Sequence, residues 1–579
     1  MAKQPTQPTI ATLDFETDPF AGPGHPVTPF CAGFYDGLSF ISFWGDNCVA
    51  QIADYIRRLD RPYIIYAHNG GRFDFLFMVE HLEPNLFCIG SRVVQAYIRG
   101  NQFANGPSHM HELRDSFAIL PVPLTDAAEK FKFDYAKMTR GQRNRHRAEI
   151  IEYLEQDCIG LYDTVKLYRQ EFGNALTMAS AAHKALCASM LKTYTKMEHV
   201  YDRLRPHQDI EMRPWYFGGR VECFKRGIID ANVTLFDINS SYPHVMRNYL
   251  HPVSNSWRKS SLEITNQTDF AIIDAFSDRA LPLRDPYTGS LNFPYGRCIF
   301  HATGHEIRTG IALGIVKIFK VFETLESARR IDFQPFVDCY HYRRIEAKHR
   351  GDKTFSLFWK LVLNSAYGKF AQNPLKFRDT RLVFPDDVIP DEEEGWEISE
   401  RHAKFDVYTR PTYEPSDKSI FRHYLNVSTA ASITGAARAE LLRGLCSAEN
   451  VVYCDTDSII AERLPVALDD MALGGWKAEC TGNRIAVVEK KTYALFGEPC
   501  TDAVEHDRRI RQWGDGRCVK LASKGVRASA QQILDAAAGS TISITQEVPT
   551  LHLDGSQSWI TRRIAMRSTE RDHVSPGKG

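Results

Sequence analysis

The sequence predicts a mixed α/β and α+β chain of several domains. At 579 residues it exceeds what one hydrophobic core usually serves. Its first third alternates apolar strands with a helical stretch, and its later parts interleave strands with one long amphipathic helix. Acids that interrupt or end apolar strands fall into two separate groups, one between positions 14 and 157 and one between 237 and 457.

Composition excludes more than it selects. With 43% hydrophobic and 25% charged residues the chain is globular rather than disordered or fibrous. Lys+Arg and Asp+Glu balance at 71 each, so a polyanion site has to come from local clustering. Thirteen cysteines, an odd number without a C-x-x-C pair, argue against a disulfide framework and a zinc ribbon. Positions 1–8 are polar and lack a signal-peptide core, and no apolar run approaches the roughly 20 residues of a membrane helix. The expectation is a soluble, cytoplasmic protein in a reducing compartment (the host cytoplasm, were it viral), without a membrane partner.

Taken in order, segment 10–17, IATLDFET, is a strand with Asp14 and Glu16 at i, i+2. The apolar strand 62–67 then runs into HNGGRFD, where Gly70 and Gly71 make a turn and Asp74 opens an apolar, helix-like run over 75–79. An acid there equally caps a helix start. The basic run 140–147 suits the path of a nucleic-acid strand, or a solvated loop. Periodicity predicts a helix over 148–169, with Tyr153 and Asp157 on one face. Asp14, Glu16, Asp74 and Asp157 together suit two-metal hydrolysis of a phosphodiester, with Tyr153 positioning the water.

An Ala-rich helix follows over 174–197. In PWYFGGR, 214–220, paired Gly218 and Gly219 let a backbone approach something closely, or make a plain turn. Segment 233–243, VTLFDINSSYP, delivers Asp237 at a strand end before a sharp turn whose N–H groups can meet a triphosphate. A helix is expected over 348–370. Lys353, Lys360, Asn364 and Tyr367 follow at steps of seven, four and three along one stripe, with Lys348 and Arg344 adding positive charge. A solvated lysine face explains those lysines, but not the N-S-A-Y-G run that ends at Gly368. Segment 451–460, VVYCDTDSII, read as a strand, puts Asp455 and Asp457 on one face. Such a pair is costly to bury without a cation, for which Mg²⁺ is the natural choice, although an isolated D-T-D is equally an edge hairpin with its acids in water. Lys491 and Tyr493 share a strand face, consistent with a phosphate contact. Arg508, Arg509, Arg511, Arg562 and Arg563 suit a duplex backbone, and 575–579 is expected to be a disordered tail.

In this order the motifs resemble those of family B DNA polymerases. Asp14 and Glu16 (D-x-E), Asn69, Phe73 and Asp74 (N-x₃-F-D), and Tyr153 and Asp157 (Y-x₃-D) resemble the 3′–5′ exonuclease motifs. Asp115-Ser116-Phe117 is similar to the segment that holds the single-stranded 3′ end there. Tyr216, Gly218 and Gly219 resemble the template-contacting Y-x-G-G motif. Asp237 to Pro243 resembles motif A, with Ser241 where the family usually has Leu. Positions 360–368 match motif B, K-x₃-N-S-x-Y-G, throughout; Asp455 and Asp457 resemble motif C, and Lys491 and Tyr493 the primer-holding K-x-Y.

The resemblance implies a ribonuclease H-like exonuclease domain (1–180) followed by a right-hand polymerase. Its parts are palm (181–248 and 426–520), fingers (336–371) and thumb with tail (521–579). Two insertions, 249–335 and 372–425, make the chain similar to the protein-primed polymerases of bacteriophages and linear plasmids. There they are called terminal protein regions, the first touching the priming protein and the second encircling the template. The acidic run 385–394 does not suit a DNA-encircling loop and is expected to point into solvent.

The implied activity is DNA-directed DNA polymerisation with 3′–5′ proofreading and strand displacement. Two Mg²⁺ per site are implied, with Mn²⁺ as a substitute, held by Asp237 and Asp457 and by Asp14, Glu16, Asp74 and Asp157. Asp455 is a supporting acid; Lys360, with Lys348 and Lys491, offsets phosphate charge; Tyr242, Asn364 and Tyr367 line the nucleotide. The implied partners of a monomer are template and primer DNA, dNTPs and a terminal-protein primer. The alternatives are a family B polymerase using ordinary nucleic-acid primers, or a nuclease whose second half only binds DNA.

Overall fold

The computed structural model describes residues 9–20, 25–101, 109–123, 134–135, 138–193, 196, 200–260, 263–413, 425–497, 518–523, 525, 528–568 and 576–577. Arg508, Arg509 and Arg511 lie outside them. Of the expected tail only Pro576 and Gly577 are described, and the Gly577 N–H donates to Asp278. No helix among the described residues is long and apolar enough to cross a membrane.

The strand Thr9–Thr17 lies in a mixed sheet, parallel to Tyr63–Ala67 and antiparallel to Pro29–Tyr35. Alternation along it assigns its two faces. Ala11, Leu13 and Phe15 pack with Ile52, Ala53 and Ile56 of the helix Cys48–Arg57. Thr12, facing the other way, donates to the Cys158 carbonyl of the helix Arg147–Phe172 at 2.8 Å. Asp14 and Glu16 share the face of Thr12 and are therefore turned toward that helix.

The same sheet reaches further than sequence alone indicates. Beyond Asn85–Ile89 it continues through Arg378–Val383, Asp406–Pro411 and Glu397–Arg401, making ten strands. Of the expected insertion 372–425, the strands within 378–411 are thus hydrogen-bonded onto the N-terminal sheet. Asp391, Glu392, Glu393 and Glu394 are exposed at its outer turn, with the acidic run in solvent as expected.

Two antiparallel sheets form the centre. One orders Trp476–Gly482, Val233–Ile238, Ser458–Ala461, Tyr453–Asp455 and Val221–Cys223. The other orders Cys518–Ser523, Thr492–Phe496, Arg484–Glu489 and Gly227–Ile229. Leu235, Tyr453 and Ile460 of the first share a core with Val487, Tyr493 and Leu495 of the second. The helix Val427–Ser447 is buried along nearly its whole length, which suits its run of Ala, Ser and Thr. Strands Trp257–Ser260, Val316–Ser327, Phe270–Asp278 and Tyr295–Thr303 make a separate sheet with their own core, joined by the helix Gly304–Ala312. The chain closes with the hairpin Ile542–Leu551 and Gln557–Met566, on which Arg562 and Arg563 are exposed.

Several expected elements are corrected. The 174–197 helix is Met178–Met190. The run after Asp74 is only the short helix Asp74–Phe77 and a 3₁₀ turn, with Asp74 in its first turn. The expected helix 348–370 is two helices, Gln334–His349 and Lys353–Phe370, separated at Gly351 (φ +70°). The Asp352 carboxylate caps the second by accepting from the Phe355 N–H at 3.0 Å. Lys348 therefore lies in the last turn of the first helix, on a different helix from the lysine stripe.

Candidate active sites

Asp237 and the 455–457 turn meet across paired strands. Val233–Ile238 lies between Ser458–Ala461 and Trp476–Gly482, with Asp237 opposite Ser458 on one side and Lys477 on the other. The D-T-D segment is not a continuous strand: Asp455 ends one strand, Thr456 (φ +61°) and Asp457 form the tight turn, and Ser458 begins the next. The two acids thus differ in setting, rather than sharing a strand face. The Asp457 carbonyl accepts from the Ile238 N–H at 2.8 Å, which locks the turn to the end of the Asp237 strand. Burial pushes the Asp457 carboxyl up to about 7, with the charges of Asp237 and Asp455 adding to it. Asp237 is also raised by burial, opposed by the Lys477 ammonium 3.1 Å away. Asp455 is engaged elsewhere, with Lys491 Nζ 2.9 and 2.7 Å from its oxygens.

Lys491 does not share a strand face with Tyr493. It lies in a turn at φ +64°, its N–H donates to the Tyr453 hydroxyl at 2.9 Å, and Tyr493 is buried against the Tyr453 ring. Of the pair, Lys491 alone reaches the surface.

On the helix Lys353–Phe370, Phe358, Trp359, Val362, Leu363 and Ala366 are buried, while Lys353, Lys360 and Asn364 are exposed, as the stripe requires. Tyr367 lies half-buried at its end and stacks on Tyr242, rings 4.1 Å apart at 20°. Burial, then the charges of Arg344, Lys477 and Lys360, hold Lys348 below the usual lysine range, so these four cations are close neighbours. Arg344 donates to the Ser240 hydroxyl at 3.1 Å, and Ser240 adopts φ +54° at the start of the helix Ser241–Asn248.

Of the paired glycines, Gly219 has a packing reason, while a Cβ on Gly218 would meet open space. A Cβ on Gly219 would meet the Thr456 side chain at 2.6 Å, so the segment lies directly against the D-T-D turn. The Thr456 N–H also donates to the Arg220 carbonyl at 2.7 Å. Arg438, fully buried and absent from the sequence expectations, donates to the Phe217 and Gly218 carbonyls at 2.7 and 2.8 Å and pairs with buried Glu306 at 2.7 Å. Tyr216 is half-buried beside them. Arg438, one of two arginines in an Ala-rich helix, carries no motif by which to find it.

In the N-terminal sheet, Asp74 is buried and accepts from the Phe15 N–H, between Asp14 and Glu16, at 3.2 Å. Burial pushes Asp74 up to about 7, and the charges of Asp115 and Glu16 add to this against backbone hydrogen bonds. Burial, then the fields of Asp14, Asp157, Glu16 and Asp74, raise the Cys158 thiol, so all four acids act on this position of the helix. Tyr153 is raised by burial, then by Asp157, Glu16 and Asp14. Tyr135, which sequence reading missed, donates its hydroxyl to Glu16.

Asn69 (φ +62°) accepts from Arg92 at 3.0 Å, and Arg92 also pairs with Asp115 and lies 4.5 Å over the Phe117 ring. Ser116 is buried, its hydroxyl donating to the Ala67 carbonyl at 3.2 Å and bonded to His68 at 3.0 Å, so it supports half-exposed Phe117 rather than facing solvent. Phe73 is half-exposed beside Phe20 and Phe77. The basic run is not a loop: it forms the helix Arg140–Arg145 and the start of the next, with Arg143 buried against Asp18 and Arg140 paired with Asp46.

Among the described residues no three His, Cys, Asp or Glu side chains are gathered tightly enough to enclose a metal by themselves. The donors fit Mg²⁺ differently, as one or two carboxylates completed by phosphate and water. Asp237 with Asp457 is such a pair, and the charge of Asp237 raises the proton affinity of Asp457, a strain that a divalent cation relieves.

The sequence profile described as DNA polymerase type B, organellar and viral, matches residues 136–450. A DNA-directed DNA polymerase of Enterobacteria phage PRD1 is 38% identical over 569 residues, covering 96% of this chain and 97% of the relative. A DNA polymerase of Bacillus phage phi29 is 24% identical over 74% of this chain and 77% of its own length. The structure of phi29 DNA polymerase complexed with primer-template DNA superposes with a TM-score of 0.72 at 16% identity, covering 97% of this chain and all of the other. At that identity the likeness is one of fold.

Proposed function

This chain belongs to the organellar and viral type B DNA polymerases and is a DNA-directed DNA polymerase, and on that premise we propose that it extends a terminal-protein primer, displaces strands and proofreads with a separate 3′–5′ exonuclease site. The observation that carries the polymerase part is the meeting of Asp237 with the Asp457 turn beside a stripe of exposed Lys353, Lys360 and Asn364. Asp237 and Asp457 hold the metals. When bound, two Mg²⁺ favour loss of the primer 3′-hydroxyl proton and stabilise the pyrophosphate leaving group. Lys360, with Lys348 and Arg344, offsets the charge of the triphosphate, and Lys491 keeps Asp455 paired beside the primer end. Tyr242 and Tyr367, stacked, form the floor of the nascent base pair, with Asn364 at its edge. Tyr216, Gly218 and Gly219 run along the template.

At the second site Asp14, Glu16, Asp74 and Asp157 hold the metals and Tyr153 orients the water. Asn69, Phe73 and Phe117 line the path of a single-stranded 3′ end. Priming by protein is supported by the separate sheet of Trp257–Ser260, Val316–Ser327, Phe270–Asp278 and Tyr295–Thr303, a surface that nucleotidyl transfer itself does not need.

The test is primer extension with dNTPs and Mg²⁺. Asp457→Asn is expected to lower it on the order of a thousandfold; extension equal to the parent protein overturns the assignment. For priming, the polymerase is incubated with labelled dNTPs and each small protein that a neighbouring open reading frame encodes. Covalent label on one of these proteins supports the reading, and incorporation only onto nucleic-acid primers overturns it.

A further inference from the structure

The strand Trp476–Gly482 runs beside the Asp237 strand with a break in register: Leu235 faces Cys480, but Phe236 faces Ala478. Glu479 is the extra residue of a β-bulge, a device that re-aims side chains and is common beside active sites. Without it Lys477 would lie opposite Ile238. With it, Lys477 lies directly opposite Asp237. Its ammonium is 3.1 Å from Asp237 Oδ2 and 2.9 Å from Glu479 Oε1, and Glu479 is held from the next strand by Lys520 at 3.3 Å. The result is an ordered row of alternating charge, Asp237, Lys477, Glu479 and Lys520, with Lys477 only 30% exposed and Asp237 21%.

We propose that Lys477 is a positioning residue that sets how tightly the polymerase site takes its divalent cations. The inference rests on Asp237 being a metal ligand, as read above. A lysine opposite a ligating carboxylate is a resident cation, and an entering metal must share Asp237 with it or turn it aside toward Glu479 alone. Lys477 thereby weakens metal binding and favours release of metal with each pyrophosphate. Glu479 acts on the same balance from the other side, because it gives the ammonium a second place to rest.

Mn²⁺ titration followed by electron paramagnetic resonance tests this on the DNA-free protein carrying Asp14→Ala and Asp74→Ala, so that binding reports the polymerase site. Lys477→Met, which keeps the stem and removes the charge, is expected to bind Mn²⁺ on the order of fivefold more tightly, and the half-saturating Mg²⁺ for primer extension should fall equally. Lys477→Arg should stay near the parent protein. Glu479→Gln, which leaves the ammonium to Asp237 alone, should bind Mn²⁺ more weakly, and it decides the matter if Lys477→Met folds poorly. Unchanged or weaker binding in Lys477→Met, or unchanged binding in Glu479→Gln, overturns the proposal. Asp237→Asn separates the two levels. If it too leaves Mn²⁺ binding unchanged, the metal-ligand reading fails; if it abolishes binding while the Lys477 variants do nothing, the inference alone fails.

Discussion

Asp457 and Asp74 are both pushed up to about 7, yet their surroundings differ. Around Asp457 and Asp237 the acids are interleaved with lysines, Lys477 on Asp237 and Lys491 on Asp455. Around Asp74 the charges that act are those of Asp115, itself paired with Arg92, and Glu16, and its hydrogen-bond partner is the Phe15 N–H. The first site carries side-chain cations of its own and lies half-open beside exposed lysines, which suits a ligand that arrives as a triphosphate. The second concentrates negative charge in a buried place and depends on an external cation to ionise fully.

The comparison breaks first if the two sites are not independent. Asp14→Ala with Glu16→Ala should lower degradation of a single-stranded 3′ end by on the order of a thousandfold or more while extension stays within about twofold, since distant sites act separately. Degradation that persists would remove the N-terminal acids from the chemistry.

The buried setting of Asp74 also has a pH signature. Its folded carboxyl keeps a proton up to about 7, whereas the unfolded chain releases it near about 4. The metal-free fold therefore loses stability as pH rises from about 4 to 7. Asp74→Asn should be more stable than the parent by on the order of 2 kcal/mol at pH 8 in chelator and no more stable near pH 4, measured by denaturant titration. Asp457→Asn should gain less, because Asp457 is only partly buried. Equal gains would erase the distinction between the sites.

Smaller effects sharpen the polymerase side. Gly219→Ala drives a methyl into Thr456 and should cost about 1–2 kcal/mol in stability and reduce extension without changing degradation. A double-mutant cycle on Tyr242 and Tyr367 should return a coupling of about 0.5–1 kcal/mol from their stacked rings. Zero coupling would mean the rings are placed by their helices alone.

Much of this was legible because the chemistry lies in short segments whose residue types are dictated locally. Asp237 at a strand end, the Lys353, Lys360 and Asn364 stripe, and the Tyr153 and Asp157 face follow from periodicity. What misled was backbone detail that periodicity does not encode. The Thr456 and Lys491 turns rest on positive φ at residues other than Gly, and the helix break falls at Gly351-Asp352, a Gly stop followed by an Asp cap through which the expected helix was continued. Lys477, Arg438 and Tyr135 escaped notice because their partners lie far away in the chain, at Asp237, Glu306 and Glu16. The Trp476-Lys477-Ala478-Glu479 alternation was available as a sign of a charged strand face, but the bulge that aligns it was not.

The joining of Arg378–Val383 to Asn85–Ile89 has a consequence for biogenesis. The N-terminal sheet can form its own core early, but its outer strand keeps an unpaired edge until about 290 residues later in the chain have been made. At bacterial rates of about 5–20 residues per second, that edge waits tens of seconds. An uncovered strand edge is a template for pairing with a second chain. Phe87 and Ile89 on that strand remain exposed even in the finished protein. Nascent chains truncated between these two strands should therefore self-associate, while chains extending past residue 411 should not.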